Sequence, residues 1–143
     1  PPTTEEGLAL FNELEHNYDP RRLSIVCART LAVHLAQSKS FFYIFNRLHK
    51  YGFPIPYAWA ITLRAKRGFS DTSQPGAFYK DHHYLKGYLE IKNFVSHGGK
   101  IESLYVGKLN IGNVKSLERL GISVVGPQYL PSTRIYDNRS SIL

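Results

Sequence analysis

The stretch LRAKRGFSDTSQPGAFYKDHHYL, residues 63–85, decides how the rest of the sequence is interpreted. It begins as the end of a helix, because three cations precede Gly68 and cations suit the negative end of a helix dipole. A loop rich in hydroxyl, amide and carboxylate groups follows and closes with a Pro-Gly turn. A second helix opens near Lys80. By itself the pattern favours an ordinary well-capped connection with solvated charges. The cations are Arg64, Lys66 and Arg67.

Length and composition predict one ordered globular domain. The chain has 143 residues, 43% of them hydrophobic, and a net charge of +7. A basic chain favours acidic partners, and nucleic acid, an acidic protein tail or an anionic membrane surface would all qualify. No apolar run approaches the roughly 20 residues of a membrane span, and no signal peptide opens the chain, so we expect a cytoplasmic protein without a membrane partner. The single Cys27 fits a reducing compartment.

Hydrophobic periodicity and capping residues predict a mainly α fold. Thr3 and Glu6 fit a capping box at the start of the first helix. Gly7 inside that helix suggests close approach by another element. Further helices are predicted from about residue 20 to 37, over 41–51, 56–67 and 79–96, and as short pieces over 101–105 and 113–120. We expect residues 1–125 to form the helical part of a domain and residues 126–143 a loosely structured tail.

General catalytic motifs are missing from the sequence. It contains no glycine-rich phosphate loop, no Cys-x-x-Cys and no Gly-x-Ser-x-Gly elbow. His82, His83 and Glu90 could form a metal site only with difficulty, because adjacent helical residues point about 100° apart. Basic residues are scattered over several helices, so nucleic acid is disfavoured as a partner.

Two segments resemble the microtubule-associated tyrosine carboxypeptidase family, which includes bacterial QEGLA-motif relatives. One is TEEGLA, residues 4–9, and the other is residues 63–85, where LRAKRG-x-x-DTSQPG is the most specific run. The resemblance extends from the first residues to about Ile122. It implies a gluzincin-like zinc metallopeptidase fold, of which this chain would be the helical C-terminal portion.

The resemblance also implies an activity and a set of site residues. The family removes a C-terminal tyrosine or similar residue from a peptide tail, which would be acidic in a tubulin-like substrate. A His-Glu-x-x-x-His helix supplies two zinc ligands and the general base, and the glutamate before Gly-Leu-Ala, here Glu6, supplies the third ligand. Because Arg and Lys bind carboxylates well, the substrate's terminal carboxylate would be held by cations of the 63–85 stretch. Tyr84 or Tyr79 could donate a hydrogen bond to the oxyanion. The candidate cations are Arg64, Lys66, Arg67 and Lys80, with Arg67 and Lys80 favoured.

The sequence departs from the family pattern in three places. It has no His-Glu-x-x-x-His, so we expect two zinc ligands and the general base to lie upstream of Pro1, in a missing half of the catalytic domain. Glu5 stands where bacterial relatives often have Gln. Ala77 replaces a second glycine after Gly76, and Ala resists a positive φ. A catalytically inactive peptide-tail-binding relative and a basic helical nucleic-acid-binding module therefore remain alternative hypotheses.

Overall fold

The computed structural model describes residues 2–16, 18–122 and 126, and within these ranges the chain is mainly helical with no strand. The structure confirms the prediction of a mainly α fold. Nearly all of the predicted tail, residues 126–143, lies outside the described residues. The helices are α1 (Pro2–His16), α2 (Pro20–Ala36), α3 (Phe41–Lys50), α4 (Ile55–Ala65), α5 (His82–Ser96) and α6 (Ile111–Arg119), with short 3-10 helices at Tyr79–Asp81 and Ile101–Tyr105.

The helix starts show which side chains cap the helices. Asp19 caps α2, and its side chain accepts a hydrogen bond of 2.8 Å from the Arg21 amide, while Ser40 caps α3 in the same way. The capping box predicted at Thr3 and Glu6 is wrong, because α1 already begins at Pro2. The Thr3 hydroxyl instead lies 2.8 Å from Nδ1 of His83 on α5. This side chain therefore joins two helices rather than starting one.

Two hydrophobic clusters hold the helices together, and α2 contributes to both. The first cluster joins α1, α5 and the C-terminal elements around Leu10, Phe11 and Ile91. The second joins α2, α3 and α4 around Ala32 and Ile44. Small residues on α2 allow α3 and α4 to pack close to it. None of the helices in the described ranges has the length and apolar character needed to cross a membrane.

The predicted close approach at Gly7 is confirmed, and its partner is Gly87. The α1 and α5 helices cross where these two glycines face each other. A Cβ atom on Gly7 would overlap the backbone of Gly87, and one on Gly87 would overlap the carbonyl oxygen of Thr3. The contact fixes the distance between the two helices and therefore the position of the neighbouring Glu6.

Replacing Gly87 with alanine is expected to destabilise the protein. The added methyl group has no space, so α1 and α5 must move apart, at a cost of about 2 kcal/mol or more. Urea unfolding monitored by circular dichroism measures this loss. Gly112→Ala is the matched control, because a Cβ there would meet only the tip of Asn110, and its effect should stay within about 1 kcal/mol. Equal stability of Gly87→Ala and the parent chain would contradict the proposed packing.

Candidate functional site

Glu6 lies on α1 opposite two side chains of the following helical region. Its Oε1 atom is 3.7 Å from Nζ of Lys80, and it also forms a hydrogen bond with the hydroxyl of Tyr84. That hydrogen bond, followed by burial, raises the pKa of Tyr84, so the phenol keeps its proton. The Glu6 carboxylate is about one-quarter exposed. Three of the residues singled out in the sequence are thus brought together.

Arg64 approaches the same cluster from the end of α4. Its Nε atom donates a 2.5 Å hydrogen bond to Oδ2 of Asp81, which is almost completely buried. This hydrogen bond raises the pKa of Arg64, and the charge of Glu6 acts in the same direction. The ion pair therefore fixes the Arg64 guanidinium beside Tyr84 and Glu6. The other oxygen of Asp81, Oδ1, is buried and has no hydrogen-bond partner among the described residues.

Arg67 lies apart from this cluster. Its guanidinium carbon is 5.5 Å from the centre of the Phe78 ring, a cation–π arrangement, and the residue is exposed. Lys80, by contrast, sits beside Glu6. The two cations favoured in the sequence as one carboxylate-binding pair are therefore not placed together by any contact in the described structure.

Lys66 has a structural role that the sequence did not reveal. Only 1% of the residue is exposed, and its Nζ atom donates to the carbonyl oxygens of Gln74, at 2.6 Å, and Ala36, at 3.3 Å. Burial lowers its pKa. The sequence signal for this role was its position four residues after the buried Thr62, where Lys66 follows the last residue of α4 in line with the inner face of that helix.

The polar loop after α4 is also used largely for structure. Asp71 accepts hydrogen bonds from the amide and hydroxyl of Ser73, at 2.9 and 2.6 Å, which forms an Asx turn. The Gly76 amide donates to the Ala36 carbonyl at 2.7 Å. Among the described residues positive φ angles occur only at glycines, so Ala77 adopts an ordinary backbone conformation. The hydroxyl, amide and carboxylate groups of the loop thus build the connection to α5.

An open cleft of about 620 Å³ lies beside α4 and is lined by three arginines, Arg29, Arg64 and Arg67. Arg29 projects from α2. The sequence analysis did not identify it as a candidate site residue, because it belongs to no motif. Its Nε atom is buried and has no hydrogen-bond partner in the described structure. Burial and the nearby charge of Arg64 both lower the pKa of Arg29. Apolar side chains form much of the wall, among them Ile25, Tyr57, Leu63 and Phe69.

The metal site considered for His82, His83 and Glu90 does not form. His83 bonds to Thr3, and Glu90 is 4.0 Å from Lys86. Within the described ranges, no three His, Cys, Asp or Glu side chains gather in a way that could hold a metal ion.

Comparison with known proteins defines the family. The family profile described as microtubule-associated tyrosine carboxypeptidase matches residues 2–141. The chain belongs to this family. It is 33% identical to mouse "Putative tyrosine carboxypeptidase MATCAP2" over 120 residues, and 34% identical to mouse "Microtubule-associated tyrosine carboxypeptidase 1" over 122 residues. These alignments cover 84% and 83% of the chain.

The chain spans about a quarter of the length of these relatives, since the alignments cover 23% and 25% of them. The human microtubule-associated tyrosine carboxypeptidase 1 is 38% identical over 88 residues, or 62% of this chain and 18% of that protein. No solved structure matches the chain.

Replacing Lys66 with methionine is expected to loosen the loop after α4. Methionine fills a similar volume but cannot donate to the Gln74 and Ala36 carbonyls, so the free energy of unfolding should fall by about 2 kcal/mol. Thermal and urea unfolding provide the measurement. Arg67→Met, on an exposed neighbour, should change stability by less than about 0.5 kcal/mol. If both substitutions have the same small effect, the buried lysine does not hold the loop.

Proposed function

We propose that this chain supplies the third zinc ligand, Glu6, and part of the substrate-binding surface of a carboxypeptidase that removes a C-terminal tyrosine or similar residue. The observation that carries the proposal is that Glu6 lies close to Tyr84 and Lys80, with Arg64 nearby. Membership of the family and the names of the relatives support a carboxypeptidase activity. The other two ligands and the general base would come from a His-Glu-x-x-x-His helix outside this chain.

The surroundings of Glu6 suit a zinc ligand. A ligating carboxylate needs an exposed oxygen and neighbouring donors that orient it. Glu6 is partly exposed, Tyr84 is the donor, and the ammonium group of Lys80 lies 3.7 Å away. When bound, zinc would lower the pKa of a coordinated water and polarise the scissile carbonyl group.

Lys80 and Tyr84 have distinct proposed roles in substrate binding. The separation of 3.7 Å between Lys80 and Glu6 exceeds a good hydrogen bond, and the lysine side chain is 54% exposed, so it is available to a substrate's terminal carboxylate. The pKa of Tyr84 is raised, so its hydroxyl stays protonated, and its single O–H group would turn from Glu6 to the oxyanion of the tetrahedral intermediate. Arg64 adds fixed positive charge beside both groups. Arg67 would contact a more distant part of the substrate, along the cleft.

Zinc content of the protein that carries this chain tests the role of Glu6. We expect one zinc ion per molecule in the parent protein and at least about tenfold weaker binding in Glu6→Gln. Glu5→Gln is the matched control, because it removes a neighbouring exposed acid from the same helix. Equal zinc affinity in both variants would remove Glu6 from the site. If the parent protein binds no zinc at all, the inactive tail-binding hypothesis replaces the enzymatic one.

Tyr84→Phe tests the oxyanion role separately from metal binding. At saturating zinc the variant should still carry one zinc ion, while kcat falls by about a hundredfold because one oxyanion donor is lost. Release of tyrosine from a peptide with a free C-terminus measures the rate. Tyr79→Phe changes an exposed neighbouring phenol and should leave kcat unchanged. A loss of rate in Tyr79→Phe with full activity in Tyr84→Phe would assign the donor to Tyr79 instead.

A further inference from the structure

The outer surface of α4 is apolar, although it borders solvent in the described structure. The helix has the sequence IPYAWAITLRA, in which Arg64 is the one charged residue. Its inner face, formed by Ala58, Ile61, Thr62 and Ala65, is buried against α2 and α3. A helix that is apolar on all sides is normally covered on all sides. The outer surface of α4 therefore lacks the polar side chains that a helix beside water usually carries.

Three exposed side chains of α4 form a continuous stripe. Ile55, Trp59 and Leu63 follow one another at intervals of four residues, which places them along one side of the helix, and they are 58%, 48% and 53% exposed. The centre of the Trp59 ring lies 4.7 Å from that of Phe41 on α3. The Phe41 ring is in turn 6.2 Å from that of Phe42, which is 69% exposed. We call the four exposed residues, Phe42, Ile55, Trp59 and Leu63, the α4 stripe.

The α4 stripe belongs to a wider concentration of exposed apolar and aromatic side chains. Eight of the fourteen large side chains of this kind that are exposed in the described part of the chain lie within residues 42–69. Single exposed apolar residues are normal on a protein surface, whereas a continuous group of them marks an interface. The stripe is therefore a surface that packs against something else.

A second copy of the chain fits this surface poorly. A two-fold interface brings the same patch of both copies face to face. The aromatic side chains next to the stripe on α3 carry cations, because Lys39 lies 5.2 Å from the centre of the Tyr43 ring and Arg47 lies 5.0 Å from that of Tyr51. Residues 20–70 contain no Asp or Glu that could offset these charges in the partner copy. Self-association would therefore bring like charges together.

Two observations favour a segment of the same polypeptide instead. The alignments cover 23% and 25% of the relatives, so most residues of a family member lie outside the matched region. The stripe also ends beside the candidate site, since Leu63 precedes Arg64, whose guanidinium interacts with Glu6. The proposed function brings other parts of the parent protein to Glu6, and therefore close to this end of α4.

We propose that the α4 stripe is an internal interface of the parent protein, where it packs against the apolar face of another helix that lies outside residues 1–143. That helix would supply the apolar contacts that α4 lacks on its outer side. This packing requires neither zinc nor peptidase activity, and it goes beyond the proposed function. Its support from the position of Glu6 rests on the proposed function, whereas the exposed stripe does not.

Cysteine labelling measures whether the stripe is covered. Phe42→Cys and Ile55→Cys are introduced one at a time into the 143-residue chain and into the parent protein, each with Cys27→Ser because Cys27 is exposed. Both positions should react rapidly with a maleimide in the 143-residue chain, where they are exposed. In the monomeric parent protein they should react at least about tenfold more slowly, because labelling then requires local opening of the interface. Mass spectrometry of the digested protein identifies the labelled residue.

Leu89→Cys is the matched control. Leu89 is 55% exposed on α5, next to the charged pair of Lys86 and Glu90, so it should react equally fast in both proteins. Circular dichroism verifies that each variant is folded. Phe42→Cys and Ile55→Cys lie on different helices, so either one carries the test if the other does not fold.

Four results would overturn the proposal. Equal labelling of the stripe in the 143-residue chain and the parent protein would mean that the stripe stays exposed. Protection that appears in the 143-residue chain as its concentration rises would assign the stripe to a second copy. Protection of the parent protein only after addition of phosphatidylserine–phosphatidylcholine vesicles would assign it to a membrane surface. A slowdown at Leu89→Cys as large as that at the stripe would mean a general loss of access.

The labelling result is independent of the proposed function. Absence of zinc from the parent protein would disprove the zinc site and leave the labelling rates unaffected. Full zinc binding with an exposed stripe would disprove the interface alone.

Discussion

The contact between Gly7 and Gly87 is the constraint on which the candidate site depends. Two helices can come this close only where neither residue has a Cβ atom. Glu6 precedes Gly7 in the chain, and Tyr84 lies almost one turn before Gly87. The closeness of the two backbones therefore brings the Glu6 carboxylate within reach of Tyr84 and Lys80. A larger residue at either glycine would move Glu6 away from these donors as well as destabilise the core.

Some cations of the 63–85 stretch stabilise the fold, and others are free to contact a ligand. The ammonium group of Lys66 donates to two backbone carbonyls, and Arg64 forms an ion pair with the buried Asp81. Arg67 and Lys80 are exposed, and neither has a short ion pair among the described residues. Neighbours in sequence thus have different roles, because successive helical residues point in different directions and only some of them face the core. Composition could not separate these roles.

The fold places the proposed catalytic residues beside a cleft of one charge sign. The guanidinium of Arg64 interacts electrostatically with Glu6 and Tyr84 and also with Arg29. One side chain therefore connects the cluster around Glu6 with the cleft. Asp81 pairs with Arg64 and also acts on Arg29, so one buried carboxylate offsets part of this positive charge.

Hydrophobic periodicity, capping residues and motifs are local in the chain, and they were enough to predict the family, the mainly α fold and the approximate helix bounds. Local patterns also indicated Gly7 as a point of close approach and predicted Glu6, Lys80 and Tyr84 as site residues. Three features became apparent from the tertiary structure alone: which cations are buried, the contact of Thr3 with His83 in place of a cap on α1, and the cleft that Arg29 shares with Arg64 and Arg67. The physical reason is that burial and pairing depend on residues brought together from different helices: His83 lies 80 positions after Thr3, and Ala36 lies 30 positions before Lys66. No pattern within a single helix reports such distant partners.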